Sequence, residues 1–183
     1  HVAHAFTVHA EQSESDYFSV VDDLRGAEDD AGADHIGETD LTSGLFYGYV
    51  VLDVGGLLRN VGGDGALAAE ITRRLVHLIA EVSPGAKRGS TAPYGYAATV
   101  LVETGDRQPR SLAEAFRRPC APIHEDAETA LGRHLATLDA AYETGEARRF
   151  ASLRNDAAFG AAERLSLPRL AEWAAAQVRG RAA

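Results

Sequence analysis

The residues with the most chemical potential lie between Asp16 and Leu24, read DYFSVVDDL, and between Gly44 and Val51, read GLFYGYVV. In the first stretch Tyr17 and Phe18 sit side by side in an arm otherwise crowded with acids. In the second, apolar residues occupy both faces of a strand. Adjacent aromatics on an arm whose return strand is buried suit a probe pushed into a partner, and flat rings suit nucleobases. On residue type alone, packing within a hairpin is the plainer reading of both rings. Adjacent residues of an extended strand face opposite ways, so one ring can pack while the other stays free. The carboxylates Asp22, Asp23, Asp29, Asp30 and Asp34 are oxygen ligands of the kind that hold Mg²⁺ or Ca²⁺. Their spacing lacks the Asp-x-Asp-x-Asp-Gly run and terminal Glu of a calcium loop, and a solvated acidic arm is the simpler account. Such an arm repels phosphate, so its contact with nucleic acid would run through apolar and backbone groups. His4 and His9, five apart, point to opposite faces of a strand and cannot share a metal. No metal or other cofactor is expected. No Walker loop, GxSxG, HExxH or cysteine-pair signature is present.

These residues need a scaffold. The chain has 183 residues, 45% hydrophobic and 25% charged, enough for one globular domain, or part of a larger one, with a core. No segment approaches the ~20 apolar residues of a membrane span, and no signal peptide opens the chain. Cys120 is the only cysteine, which excludes an intrachain disulfide and fits a cytoplasmic setting. Cys120 itself reads as a small packing residue. Methionine is absent and His1–Val8 already alternates like a strand, so the chain reads as the C-terminal part of a longer protein. Charge is uneven. Glu11–Asp40 carries eleven acids and one base, Arg25, whereas the remainder is close to neutral and rich in arginine. The net charge of −9 argues against non-specific nucleic-acid binding by the whole chain but says little about its body.

Val2–Ala10 has the period-two pattern of a strand. Glu11–Ser43 is an acidic excursion with the breakers Gly26 and Gly32. Leu45–Val54, apolar on both faces, predicts a strand in the middle of a sheet, paired antiparallel with the first. Gly55–Gly63 reads as a turn region. Asp64 is a good N-cap for a helix whose Leu67, Ile71, Leu75, Leu78, Ile79 and Val82 form one apolar stripe, ended by Pro84-Gly85. Ala98–Glu103 predicts a third strand, nearer an edge. Ser111 with Glu114 suggests a capping box for a short helix. Glu125–Tyr142, with Leu131, Leu135 and Leu138, predicts a long helix, and Pro168–Val178 a last one. Arg148–Ala161 looks irregular. The basic pairs Arg73-Arg74, Arg117-Arg118 and Arg148-Arg149 read as solvated faces. Lys87-Arg88, in a glycine-bearing loop, is the best phosphate candidate. The order is α+β and matches the back half of a ferredoxin-like fold, βαββαβ, an antiparallel sheet with helices on one face. Its first strand would lie upstream, leaving Ala98–Glu103 without its usual neighbour.

The ordered series HVAHAFTVH, DYFSVVDDL, GADHIG, SGLFYGYV, SPGAKR and RSLAEAF, from His1 to Phe116, resembles the crRNA-binding backbone subunit of the type I-E CRISPR Cascade surveillance complex. The resemblance implies a hand-shaped subunit with a ferredoxin-like (RRM-like) palm and a long β-hairpin thumb, here residues 11–43 of a single palm fragment spanning 1–183. Residues 119–183 form a C-terminal helical portion. The family's N-terminal strand and helical fingers are absent from this chain. The family's Trp-Phe-Thr wedge falls on Tyr17, Phe18 and Ser19, its following valine on Val21, and its His-Leu-Gly on His35, Ile36 and Gly37. Lys87 matches a basic palm loop. The implied partners are crRNA, target DNA paired to the guide, neighbouring copies of the same subunit and other Cascade subunits, with no membrane. The implied role is non-catalytic: copies polymerise along the guide and each thumb kinks the duplex at regular intervals. Two alternatives stand beside it: a metal-dependent ribonuclease using thumb carboxylates, and a ferredoxin-like oligomerisation module without nucleic acid.

Overall fold

The alternation of residues 2–9 and the apolar run from Leu45 bring those two segments together, antiparallel, as their patterns predict. The computed structural model describes residues 1–10, 13–20, 35–42, 44–83, 92, 94–155 and 159–182. In it β1 (Phe6–Thr7) pairs β4 (Phe46–Tyr47), with Phe6 opposite Tyr47. Backbone bonds continue past this short ladder: Ala3 N–H donates to Tyr49 O at 2.9 Å and Val51 N–H to His1 O at 2.8 Å. The expected central strand over Leu45–Val54 does not form. Regular pairing stops at Tyr47, and Phe46 is 55% exposed. A strand apolar on both faces stays regular when a layer covers each face, and among the described residues Phe46 has no such cover. Phe6, Tyr47 and Phe116 pack with ring centroids 5.4–6.4 Å apart, and the Tyr47 hydroxyl accepts from Leu112 N–H at 2.9 Å.

The supposed turn after Asp53 is a helix, α1 (Val54–Asn60). The Asp53 carboxylate accepts from Gly56 N–H at 2.8 Å, a side-chain cap strong enough to start a helix through two glycines. Gly62 (φ +66°) and Gly63 (φ +84°) then take left-handed conformations that favour glycine. The predicted Asp64 cap is present, accepting from Leu67 N–H at 2.9 Å, and opens α2 (Gly65–Glu81).

The face that α2 buries is not the predicted leucine stripe. Ala68, Ala69, Thr72, Val76 and Ala80 face inward, whereas Leu78 is 56% exposed and Leu67 47% exposed. The partner explains it. α4 (Leu167–Ala182) offers Leu170, Ala171, Ala174, Ala175 and Val178, and two small-residue faces let the helix axes approach closely. The one buried hydroxyl on the α2 face is satisfied, Thr72 Oγ1 donating to Ala68 O at 2.8 Å.

The stretch read as irregular contains a strand. β5 (Thr99–Thr104) pairs antiparallel with β6 (Ala147–Ser152), placing Leu101 opposite Phe150, and β6 pairs parallel with β7 (Glu163–Arg164). β6 thus supplies β5 with a neighbour. β5 alternates between layers: Val100 and Val102 pack with the α2–α4 cluster, and Leu101 packs with Leu135 of α3 (His124–Tyr142), Leu112, Phe150 and Phe159. Phe150 and Phe159 meet edge to face at 4.9 Å, a favoured aromatic geometry. The expected capping box at Ser111 does not form. A single 3₁₀ turn spans Ala113–Phe116, with Glu114 paired to Arg117 at 2.6 Å instead of reaching back to Ser111.

One end of this sheet carries a charge network. Arg148 of β6, whose side chain is 10% exposed, bonds Glu103 of β5 and both oxygens of Asp139 near the end of α3, the latter at 2.7 Å through Nη2. Arg110 bonds Glu146 at 3.0 Å and Glu103 at 3.3 Å. Burial opposes the Arg148 charge, but Asp139 and Glu103 more than offset it, so its pKa rises. Hydrogen bonds from Arg148 hold the Asp139 carboxyl below its ordinary value. Burial pushes Glu146 up, yet the Thr144 hydroxyl, the backbone and Arg110 together bring it lower.

Candidate nucleic-acid interface

β2 (Ser13–Val20) and β3 (His35–Thr42) form an eight-pair antiparallel ribbon in a sheet of their own. At ~3.4 Å per residue it is about 27 Å long. The register runs from Ser13 opposite Thr42 to Val20 opposite His35. It brings together two motifs that lie about twenty residues apart. Tyr17 stands opposite Glu38, Phe18 opposite Gly37, and Ser19 opposite Ile36, in the half of the ribbon far from its root. Because cross-strand partners share a face, positions 17, 19, 36 and 38 belong to one face and 18, 20, 35 and 37 to the other. Ile36 therefore shares a face with Tyr17 and not with Phe18. Val21, Lys87 and the acids from Asp22 to Asp34 lie outside the described residues.

The root of the ribbon is built by residues the motif reading passed over. His9 Nε2 accepts from Leu45 N–H at 3.1 Å, and its Nδ1 donates to Ala10 O at 2.8 Å, so both ring nitrogens are engaged and the ring's orientation is fixed. Cys120 N–H donates to Val8 O at 2.9 Å just beside it. Gly44 faces this ring: a Cβ there would lie 2.6 Å from His9 Nε2. The sequence offered His9 only as half of an implausible metal pair. Its neighbour Gly44, separated from it by the whole excursion, was the available signal.

The arginines of the body are largely engaged. Arg73 and Arg74 both bond Glu70, at 2.8 and 2.6 Å, and hold its carboxyl at about 2. Arg149 pairs with Glu163 at 2.9 Å and lies 5.6 Å over Trp173, and Arg107 donates to Tyr142 O at 2.9 Å. These side chains stabilise the body before any ligand arrives. Among the described residues no group of three or more His, Cys, Asp or Glu is placed to hold a metal ion, and no helix is long and apolar enough to cross a membrane.

The family signature of the CT1975-like proteins matches residues 1–176. The chain belongs to that family. Its fold is also that of two solved structures. One is a chain of a CRISPR RNA-guided surveillance complex, 27% identical with a TM-score of 0.85, the match covering 96% of this chain and 69% of that one. The other is a chain of a CRISPR RNA-guided surveillance complex, pre-nicking, 26% identical with a TM-score of 0.85, covering 97% of this chain and 49% of that one. No curated protein matches. The Cascade resemblance carried by residues 1–116 thus extends in three dimensions through β6 and α4. This CT1975-like chain has the α+β fold of a surveillance-complex subunit.

Proposed function

We propose that this chain is the hairpin-bearing part of a crRNA-binding backbone subunit of Cascade, working without catalysis in the cytoplasm. The observation that carries this reading is the β2–β3 register, which aligns Tyr17–Ser19 with Ile36 and Gly37 across one ribbon. A ribbon that parts a base step meets a base on each face, and here each face holds an aromatic position, Tyr17 on one and Phe18 on the other. Stacking on an aromatic contributes ~1–3 kcal/mol per base and unstacking a step costs a few, so flanking guide–target pairs must hold the duplex together. Gly37, opposite Phe18, keeps the ribbon slim at that point. The body is a ferredoxin-like palm, with Val21, His35 and Lys87 completing the RNA contacts. Neighbouring copies, other Cascade subunits, crRNA and the target DNA paired to it are the partners. The acid-rich excursion and the arginine-rich body suit head-to-tail assembly of copies along the guide. Sequence choice belongs to guide–target pairing.

The test is the intact subunit assembled with guide. Phe18→Ala with Ile36→Ala is expected to weaken target binding by about tenfold or more, with guide binding changed by much less. Equal losses would remove the wedge from the reading. Mg²⁺-dependent RNA cleavage that disappears with Asp22→Ala or Asp34→Ala would overturn the non-catalytic assignment.

A further inference from the structure

Beyond the hairpin, two tyrosines at the far end of α2 are bare. Tyr94 is 70% exposed and Tyr96 77% exposed. They are not there by loose chain geometry. Gly95 between them is clamped to the helix end, its N–H donating to Ser83 Oγ at 3.1 Å and its O accepting from the same hydroxyl at 3.3 Å. Ala97 N–H donates to Ala80 O at 2.8 Å. Bonds at alternate residues, 95 and 97, are those of an extended chain, and they leave 94 and 96 as an i, i+2 pair. In an extended chain such residues are about 6.6–6.8 Å apart, close to twice the ~3.4 Å rise between stacked bases. The rings border an open cleft of about 500 Å³, with Glu81, Val82 and Ser83 as its other walls.

We propose that Tyr94 and Tyr96 form a stacking site for one unpaired nucleobase, separate from the hairpin; the inference rests on the RNA-binding reading above. A base between, or on, the two rings uses faces that nothing among the described residues covers. The Glu81 carboxylate, held by His77 at 3.2 Å, can only accept hydrogen bonds. It therefore favours a base edge with amino or imino donors and keeps phosphate outward, where solvent screens it. Recognition through unpaired, stacked bases is the usual way protein surfaces hold single-stranded RNA.

The experiment is anisotropy of a labelled single-stranded RNA of mixed sequence titrated with the full chain, across a salt series. Tyr94→Ala and Tyr96→Ala should each raise Kd by about 5- to 150-fold, the range of ~1–3 kcal/mol per stacked base. Tyr94→Phe and Tyr96→Phe should bind within about twofold of the unaltered protein, since the ring and not the hydroxyl carries the contact. The salt slope should not change, because no phosphate contact is lost. RNA affinity retained in both alanine variants overturns this inference alone. So does phenylalanine failing as badly as alanine, or a loss of subunit assembly with RNA affinity intact, which would make the pair a protein-docking surface. Absence of RNA affinity in the unaltered protein overturns the functional reading and this inference together.

Discussion

Replacing Arg148 with methionine isolates the charge network as a structural element. The variant keeps the aliphatic stem and removes the guanidinium that bonds Asp139 and Glu103. Removing one partner of a buried pair costs ~3–5 kcal/mol, because the other charge stays behind unpaired. Here the lower end applies. Asp139 is 34% exposed, and Arg110 remains within 3.3 Å of Glu103 and 3.0 Å of Glu146. A loss of about 3 kcal/mol follows, or roughly 6–12 °C in Tm for a domain of this size. The loss must depend on pH in one direction. Asp139 has a folded-state pKa below its unfolded value, so its contribution is present above the unfolded value and disappears as pH falls through the folded one. Without Arg148 the largest cause of that depression is gone, and only Thr144 and Arg110 still lower the Asp139 carboxyl. The gap between wild type and variant should be full at pH 7 and should narrow on acidification below about pH 4. Thermal and urea unfolding by circular dichroism at pH 7 and at about pH 2.5 measure both. Arg148→Lys, which keeps the charge and loses the fork, should recover part of the deficit. A Tm loss under ~2 °C at pH 7, or an equal loss at both pH values, would refute the argument.

Two further variants test the body. Ala69→Leu forces the three extra carbons of an isobutyl group into a fully buried seam against Ala175 and Val178, and is expected to cost ~1–3 kcal/mol and lower Tm by several degrees in thermal unfolding; an unchanged Tm would mean the α2–α4 seam has slack. Asp64→Ala removes the 2.9 Å cap bond to Leu67 N–H, for an expected loss of ~1 kcal/mol and roughly 2–4 °C, and an unaltered melting curve would show that the cap adds nothing beyond packing.

What could be read from the residues alone divides by physical cause. Asp64 was legible because a cap is a local event, settled within three residues. The antiparallel meeting of residues 2–9 with 45–51 was legible because period two survives without tertiary context. The buried face of α2 was not. Bulk and hydropathy favour Leu67, Ile71, Leu78 and Ile79, but the closeness of α4 selects alanine, and that partner lies a hundred residues downstream. β6 was hidden because Arg148 interrupts its apolar alternation, and the carboxylates that permit a buried arginine come from β5, α3 and the loop before β6. At the hairpin, the residue types of DYFS and HIG were visible, but which positions share a face depends on register, and the chain between them sets it. Tyr94 and Tyr96 escaped notice because nothing in their pattern distinguishes a displayed ring from a packed one.

The contact of His9 with Gly44 makes the ribbon a lever. Its fulcrum is a single imidazole seated against a residue with no side chain, and the ribbon that follows is about 27 Å long. A tilt of about 5° at that pivot sweeps the tip through roughly 2 Å, more than half the ~3.4 Å rise between successive bases. The bare α-carbon at position 44 therefore governs aim more than cohesion, and an error of a few tenths of an ångström at the pivot is multiplied before it reaches the tip.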